Sequence, residues 1–165
     1  MGQRLEFVKT ARAEVGTVEE KENLTKYGKF TKHDGQPWCG SFVMWCAHQV
    51  GLKVPDVVST VAGAEKFKGI GEWHNAETYT PKSGDLAFFD FPNDGVDRIS
   101  HIGIVADVDD NGLMNVIEGN TTPDGKTGSQ RNGGEVAKKR RAWRAENDKK
   151  LPVFVVGYGS PKFKD

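Results

Sequence analysis

Pro37-Trp38-Cys39-Gly40-Ser41-Phe42-Val43-Met44-Trp45-Cys46 places a cysteine where a turn-rich segment becomes an amphipathic helix. The residues before it, His33-Asp34-Gly35-Gln36-Pro37, are turn and breaker types. After Cys39 the large apolar residues recur at helical spacing, at Phe42, Val43, Cys46 and Val50, until Gly51 ends the run. A thiol in the first turn of a helix faces unpaired backbone N–H groups and the positive end of the helix dipole. Both favour the thiolate, the form that attacks carbonyls. Cys39 is therefore a candidate nucleophile before any partner is found.

Two later segments supply the partners. Ser100-His101-Ile102-Gly103-Ile104-Val105 is a β-branched run with a histidine near its start, and Asn115-Val116-Ile117-Glu118-Gly119-Asn120 is also strand-like. Glu118 and Asn120 are two apart, so on a strand they share a face. If the two segments pair, a carboxylate or amide reaches the imidazole, and the imidazole reaches Cys39. That order supplies a nucleophile, a base and a group that orients the base.

Working outward, Leu5, Val8 and Val15 stand at core spacing on a first helix stopped by Gly16. Leu24, Tyr27 and Phe30 mark a short second helical piece, and 60–68 reads as a further helix with Val61, Ala64 and Phe67 on one side. After Pro81 the pattern changes. The stretches 85–91, 101–108, 113–118, 134–143 and 153–158 read as strands separated by turn residues. Asp109-Asp110-Asn111-Gly112 is a strong hairpin signal between two of them. Helices first and antiparallel strands after predict an α+β fold with helices packed on one sheet face. The stretch 121–134, rich in Thr, Gly, Asp and Asn, reads as a long loop. No repeat or linker divides the 165 residues, so one domain over 1–165 is expected.

Taken together the segments resemble the CHAP domain (cysteine, histidine-dependent amidohydrolase/peptidase), a papain-like group that cuts peptidoglycan. The resemblance rests on 37–46, on Lys82-Ser83-Gly84-Asp85-Leu86-Ala87-Phe88-Phe89, on 100–105 and 116–120, and on Val155-Val156-Gly157-Tyr158-Gly159 as the last core strand. It runs from about Ala11 to about Pro161. It implies a papain-like core with Cys39 as nucleophile, His101 as base, Glu118 as the orienting residue and Asn120 as a further member of the site. The implied reaction is hydrolysis of an amide through a Cys39 thioester. The amide is the N-acetylmuramoyl–L-alanine bond or a peptide bond in the stem or cross-bridge, between which sequence does not choose. An NlpC-type peptidase shares the Cys-then-His layout, but Glu118-Gly119-Asn120 favours CHAP. Phage endolysin is the leading role. A delivered antibacterial effector uses the same chemistry. A noncatalytic wall-binding or virion module need not retain Cys39, His101 and Glu118.

Some phage CHAP domains carry several carboxylates before the cysteine and bind calcium there. The corresponding Phe30-Thr31-Lys32-His33-Asp34-Gly35-Gln36 has one Asp and a Lys, whereas calcium takes six to eight oxygen ligands. No calcium or other cofactor is expected. His33, His48 and His74 show no metal-ligand spacing.

Lys plus Arg (23) equals Asp plus Glu (23), so there is no global field for nucleic acid or membrane. No apolar run approaches the roughly 18–20 residues of a membrane span. Met1-Gly2-Gln3-Arg4-Leu5-Glu6 has no signal-like apolar stretch. The expectation is a monomer made in the cytoplasm without a signal peptide, which reaches bacterial peptidoglycan only after release. Lys138-Lys139-Arg140-Arg141-Ala142-Trp143-Arg144 reads as a solvated strand or loop, with contact to anionic wall polymers as the functional alternative. Cys39 and Cys46 on one helix lie about 10.5 Å apart at 1.5 Å per residue, too far for a disulfide. Cys46 reads as a small buried hydrophobe. Trp38 and Trp73 are groove or packing residues. Gln36 is a loop stabiliser or an oxyanion donor, and Asp85 a turn residue.

Overall fold

In a computed structural model describing residues 2–92, 94–95 and 98–165, all the α-helices precede the sheet. They are α1 (Gln3–Ala13), α2 (Lys26–Thr31), α3 (Cys39–Gln49) and α4 (Thr60–Gly69). The strands are β1 (Trp73–Asn75), β2 (Leu86–Phe89), β3 (His101–Val108), β4 (Leu113–Thr121), β5 (Glu135–Ala142) and β6 (Val155–Gly159). They form one antiparallel sheet in the order β1-β6-β2-β3-β4-β5. This is the α+β architecture the sequence predicts, and Asp109–Gly112 does join the β3–β4 hairpin. β1 was not anticipated, because three residues are too few to show alternation.

The helices cover one face of the sheet. Phe7, Val8, Phe42, Val43, Cys46 and Phe67 meet Leu86, Phe88, Ile102, Ile104 and Ile117 there. The other face is not left to solvent. Phe89, Phe91, Val105, Met114, Val116 and Tyr158 form a second apolar cluster under Tyr79, Trp143 and Phe154. Burial on both faces explains why Leu86–Phe89 is a continuous apolar run rather than an alternating one.

Two helical faces differ from the sequence reading. α1 buries Phe7, Val8 and Ala11, while Leu5 and Val15 are exposed. Leu5 sits about 200° around the helix from Phe7 at 100° per residue, and Val15 lies past the end of α1. In α4 the buried residues are Thr60, Gly63, Ala64 and Phe67, and Val61 is exposed. In both helices a phenylalanine sets the buried face.

α3 is docked by its own side chains. Phe42 meets the Tyr27 ring edge-on at 5.1 Å. A Cβ on Gly119 of β4 would stand 2.7 Å from Phe42 Cβ, so the bare glycine lets α3 lie close on the sheet. That contact sets where Cys39, at the head of α3, meets β4. Among the described residues no helix is long and apolar enough to cross a membrane.

Phe42 is fully buried. Phe42→Ala is expected to cost about 3–5 kcal/mol, through lost burial and a residual cavity. Urea denaturation of the two proteins checks this.

Candidate active site

Cys39 is the first residue of α3 and is 5% exposed. α2 and α4 carry side-chain caps, Thr25 accepting from the Gly28 N–H and Ser59 from the Ala62 N–H. The N-cap of α3 is Trp38, which makes no such bond. Its first-turn amides are therefore not consumed by their own cap. Trp38 itself is buried, stacks on Tyr27 at 5.4 Å, and donates its indole N–H to Glu19 Oε1 at 3.2 Å. It is a packing residue that anchors the chain just before the thiol, not a groove wall.

His101 opens β3 opposite Phe89 and is fully buried. Its ring lies 5.9 Å from Phe89 and 5.6 Å from Phe91. Nε2 is 2.8 Å from Glu118 Oε1. Nδ1 is buried without a well-formed hydrogen bond. Cys39 is the other side chain acting on the ring, which leaves Nδ1 as the nitrogen available to the thiol. Such contacts are often loose until substrate binds.

Glu118, on β4, is also fully buried. A Cβ on Gly103 would stand 2.6 Å from Glu118 Cγ and 2.5 Å from Val116 Cγ1. The glycine two residues after His101 thus clears the space in which the carboxylate lies beside β3. Nothing in the sequence around Gly103 marks this role.

The sequence shows Arg141 only as part of a basic stripe and not at the site. The guanidinium donates from Nε to Glu118 Oε2 at 2.9 Å and from Nη2 to Oε1 at 2.7 Å, and Nη2 also reaches Gln130 Oε1 at 3.1 Å. Its carbon lies 5.2 Å from the Phe89 ring centroid and 5.0 Å from that of Phe91. Lys139 is buried as well, donating to the Thr122 carbonyl and pairing with Asp124 at 2.9 Å. The basic stripe is therefore not a solvated run. As a strand it alternates, and Lys139 and Arg141 share the inward face while Lys138 is exposed. That period of two was the available signal.

The side chain of Asn120 hydrogen-bonds to Asn23, Asn132 and Gly134, and no hydrogen bond joins it to His101 among the described residues. The β4–β5 register shifts between Glu118 and Thr121, and Asn120 takes a left-handed φ of 57°. The shared-face argument fails because the chain is no longer a regular strand there. Its Oδ1 accepts from the Gly134 N–H at 3.0 Å, and its Nδ2 donates to Asn132 Oδ1 at 3.0 Å. It is a brace at the base of the 122–134 loop.

Other singled-out residues lie elsewhere. Trp73 packs on Phe88 at 5.3 Å from the far edge strand. Asp85 is a buried turn acceptor for Tyr79, Ser160 and the Lys82 N–H. His48 lies tilted against Phe30 and His74 stacks on Tyr79, while His33 and Gln36 are exposed. Both cysteines are free, and burial pushes the Cys46 thiol up. Among the described residues no group of three or more His, Cys, Asp or Glu side chains could hold a metal ion.

Burial opposes charge on Glu118, His101 and Arg141, and their neighbours overcome it. Burial pushes the Glu118 carboxyl up, but the charge and hydrogen bonds of Arg141, then His101, hold it down at about 2. Burial pushes His101 down, but Cys39 and Glu118 together raise it to about 9. Burial lowers Arg141, and Glu118 outweighs it to raise it.

The model of the CHAP domain matches residues 31–120, more than half of the chain. The chain belongs to that family of cysteine/histidine-dependent amidohydrolases and peptidases. The match spans Cys39, His101, Glu118 and Asn120 and stops before Arg141. Among solved structures, "The crystal structure of Ly7917" has a similar fold, with a TM-score of 0.55 at 16% identity. The alignment covers 96% of this chain and 62% of that one. No curated protein sequence matches the chain.

Because folding raises His101 to about 9 from an ordinary 6.5, its contribution to stability is complete below about 6.5 and is lost as pH rises through 9. Because folding lowers Glu118 to about 2 from 4.5, its contribution is complete above about 4.5 and is lost as pH falls through 2. These two groups therefore favour greatest stability between about pH 4.5 and 6.5. Urea denaturation across pH is expected to show the alkaline decline in the wild type and a flattened one in His101→Gln.

Proposed function

We propose that this chain is a peptidoglycan hydrolase of the endolysin type. It cleaves the N-acetylmuramoyl–L-alanine amide or a stem or cross-bridge peptide bond through a thioester on Cys39. The observation that carries the reading is the row itself: a helix-start thiol beside an imidazole whose far nitrogen is 2.8 Å from a buried carboxylate.

The Cys39 thiolate attacks the amide carbonyl carbon, and the tetrahedral oxyanion is met by the Cys39 backbone N–H at the uncapped head of α3. On collapse the C–N bond breaks, and the leaving amine takes a proton from His101 Nδ1. Water then gives a proton to Nδ1 and attacks the thioester carbonyl. The C–S bond breaks, releasing the carboxylic acid and the thiolate. Glu118 stays ionised throughout and holds the ring by Nε2.

Accessibility suits a polymer. Of Cys39, His101 and Glu118 only Cys39 has any exposure. A cavity of about 720 Å³ lined by Tyr79, Trp143, Arg144 and Val155 includes none of the three. A chain laid across the head of α3 reaches the thiol, and a molecule seated in that cavity does not. In this reading the protein acts as a monomer on the wall after release from the cytoplasm where it is made.

Mass spectrometry of purified peptidoglycan, digested by wild type and by Cys39→Ala, tests the proposal. New fragments are expected with wild type alone, the variant losing on the order of 10³-fold or more in rate. Free stem peptides beginning with L-alanine mean amidase, and split stems or bridges mean endopeptidase. Equal digestion by both proteins, or by neither across several wall types, overturns it.

A further inference from the structure

We infer that Arg141 is a positioning residue for the Cys39–His101–Glu118 row, holding the Glu118 carboxylate by a two-point fork and supplying the buried positive charge that the row needs. The inference rests on the proposed chemistry for its purpose. Its geometry is independent of the substrate.

Two features of the geometry single out Arg141. The guanidinium engages both carboxylate oxygens, at 2.9 and 2.7 Å. Glu118 Oε1 is shared between Arg141 Nη2 and His101 Nε2, so turning the carboxylate breaks bonds to both. A fork of this kind fixes a plane as well as a position, which a lysine cannot do. In addition, the same two rings, Phe89 and Phe91, flank both the guanidinium and the imidazole. Two apolar faces thus seat both cations of the row.

The charge argument follows from burial. When Cys39 is anionic and His101 cationic, Glu118 leaves those three with one net negative charge in an almost closed environment. Arg141, 7% exposed, cancels it. Among the described residues the other carboxylate acting on Arg141 is Asp124, which is itself paired with Lys139 at 2.9 Å. Gln130 is neutral and accepts from Arg141 through Oε1. Glu118 is therefore the anion that Arg141 compensates. Without it, a buried carboxylate would stand beside a forming thiolate with one cation between them, an arrangement that disfavours the charged pair.

The test is the pH dependence of Cys39 alkylation by iodoacetamide, read by mass spectrometry, together with kcat and KM on peptidoglycan. Alkylation needs no wall substrate, and the fully buried Cys46 is an internal reporter of unfolding. Arg141→Met is expected to move half-maximal Cys39 labelling up by about one pH unit or more, because losing a buried cation raises the proton affinity of its neighbours. It is also expected to lower kcat about 10- to 100-fold with KM within about twofold, since Arg141 does not face substrate. Arg141→Lys keeps the charge and loses the fork, so kcat falls while the labelling midpoint stays near that of wild type. Glu118→Gln/Arg141→Met is expected to be no slower than Glu118→Gln alone, because Arg141 acts through Glu118.

A wild-type midpoint and kcat in folded Arg141→Met, or losses that multiply in the double variant, overturn the assignment. If Arg141→Met exposes Cys46, Arg141→Lys decides: unchanged kcat overturns the fork. A shifted labelling midpoint from a protein that digests no peptidoglycan would sink the substrate reading and leave the role of Arg141 standing.

Discussion

A carboxylate with no exposure to water is the constraint around which this sheet is arranged. An ionised buried group is tolerated only when its charge and its lone pairs are both met. Glu118 satisfies this with three strands. β3 brings His101 to one oxygen, β5 brings Arg141 to both, and Gly103 withdraws a side chain so that the carboxylate fits between them. A one-residue slip of β3 or β5 against β4 would put His101 or Arg141 on the wrong face and leave the charge stranded. The apolar pair Phe89 and Phe91 closes the arrangement from the side.

The thiol comes from the other layer of the fold, and separate contacts deliver it. Phe42 seats α3 over Gly119, the residue directly after Glu118. Trp38, held between Tyr27 and Glu19, fixes the approach to the helix. Asn120, the residue after Gly119, ties the end of β4 to Gly134 and Asn132. One short stretch, 118–120, thus carries the charge that orients the base, the flat spot on which the nucleophile's helix rests, and the brace for the adjoining loop. The segment matched to the CHAP domain spans the thiol, the imidazole and the carboxylate. Arg141 lies beyond the matched segment and is specified by the strand that follows.

How much of this was legible in the sequence follows from the range over which each signal acts. The start of α3 was legible because turn residues before Cys39 and a 3.6-residue period after it are contiguous. The β3–β4 hairpin was legible because Asp109-Asp110-Asn111-Gly112 names its turn, and pairing those strands places Glu118 near His101. The α+β order was legible for the same reason. The turn of Asn120 towards Asn132 and Gly134 was not legible, because the shared-face rule assumes a regular strand and the left-handed residue that breaks it is visible only in the backbone.

The sequence by itself determined the helices and the longer strands, β1 excepted, and which side chains are chemically able to act. The tertiary structure alone decided which way Lys138-Lys139-Arg140-Arg141 turns, and therefore that a cation completes the row. The physical reason is that a strand's alternation defines two faces without saying which is buried. That choice is made by the neighbouring strand, here by an anion on β4 that would otherwise be buried without its counter-charge.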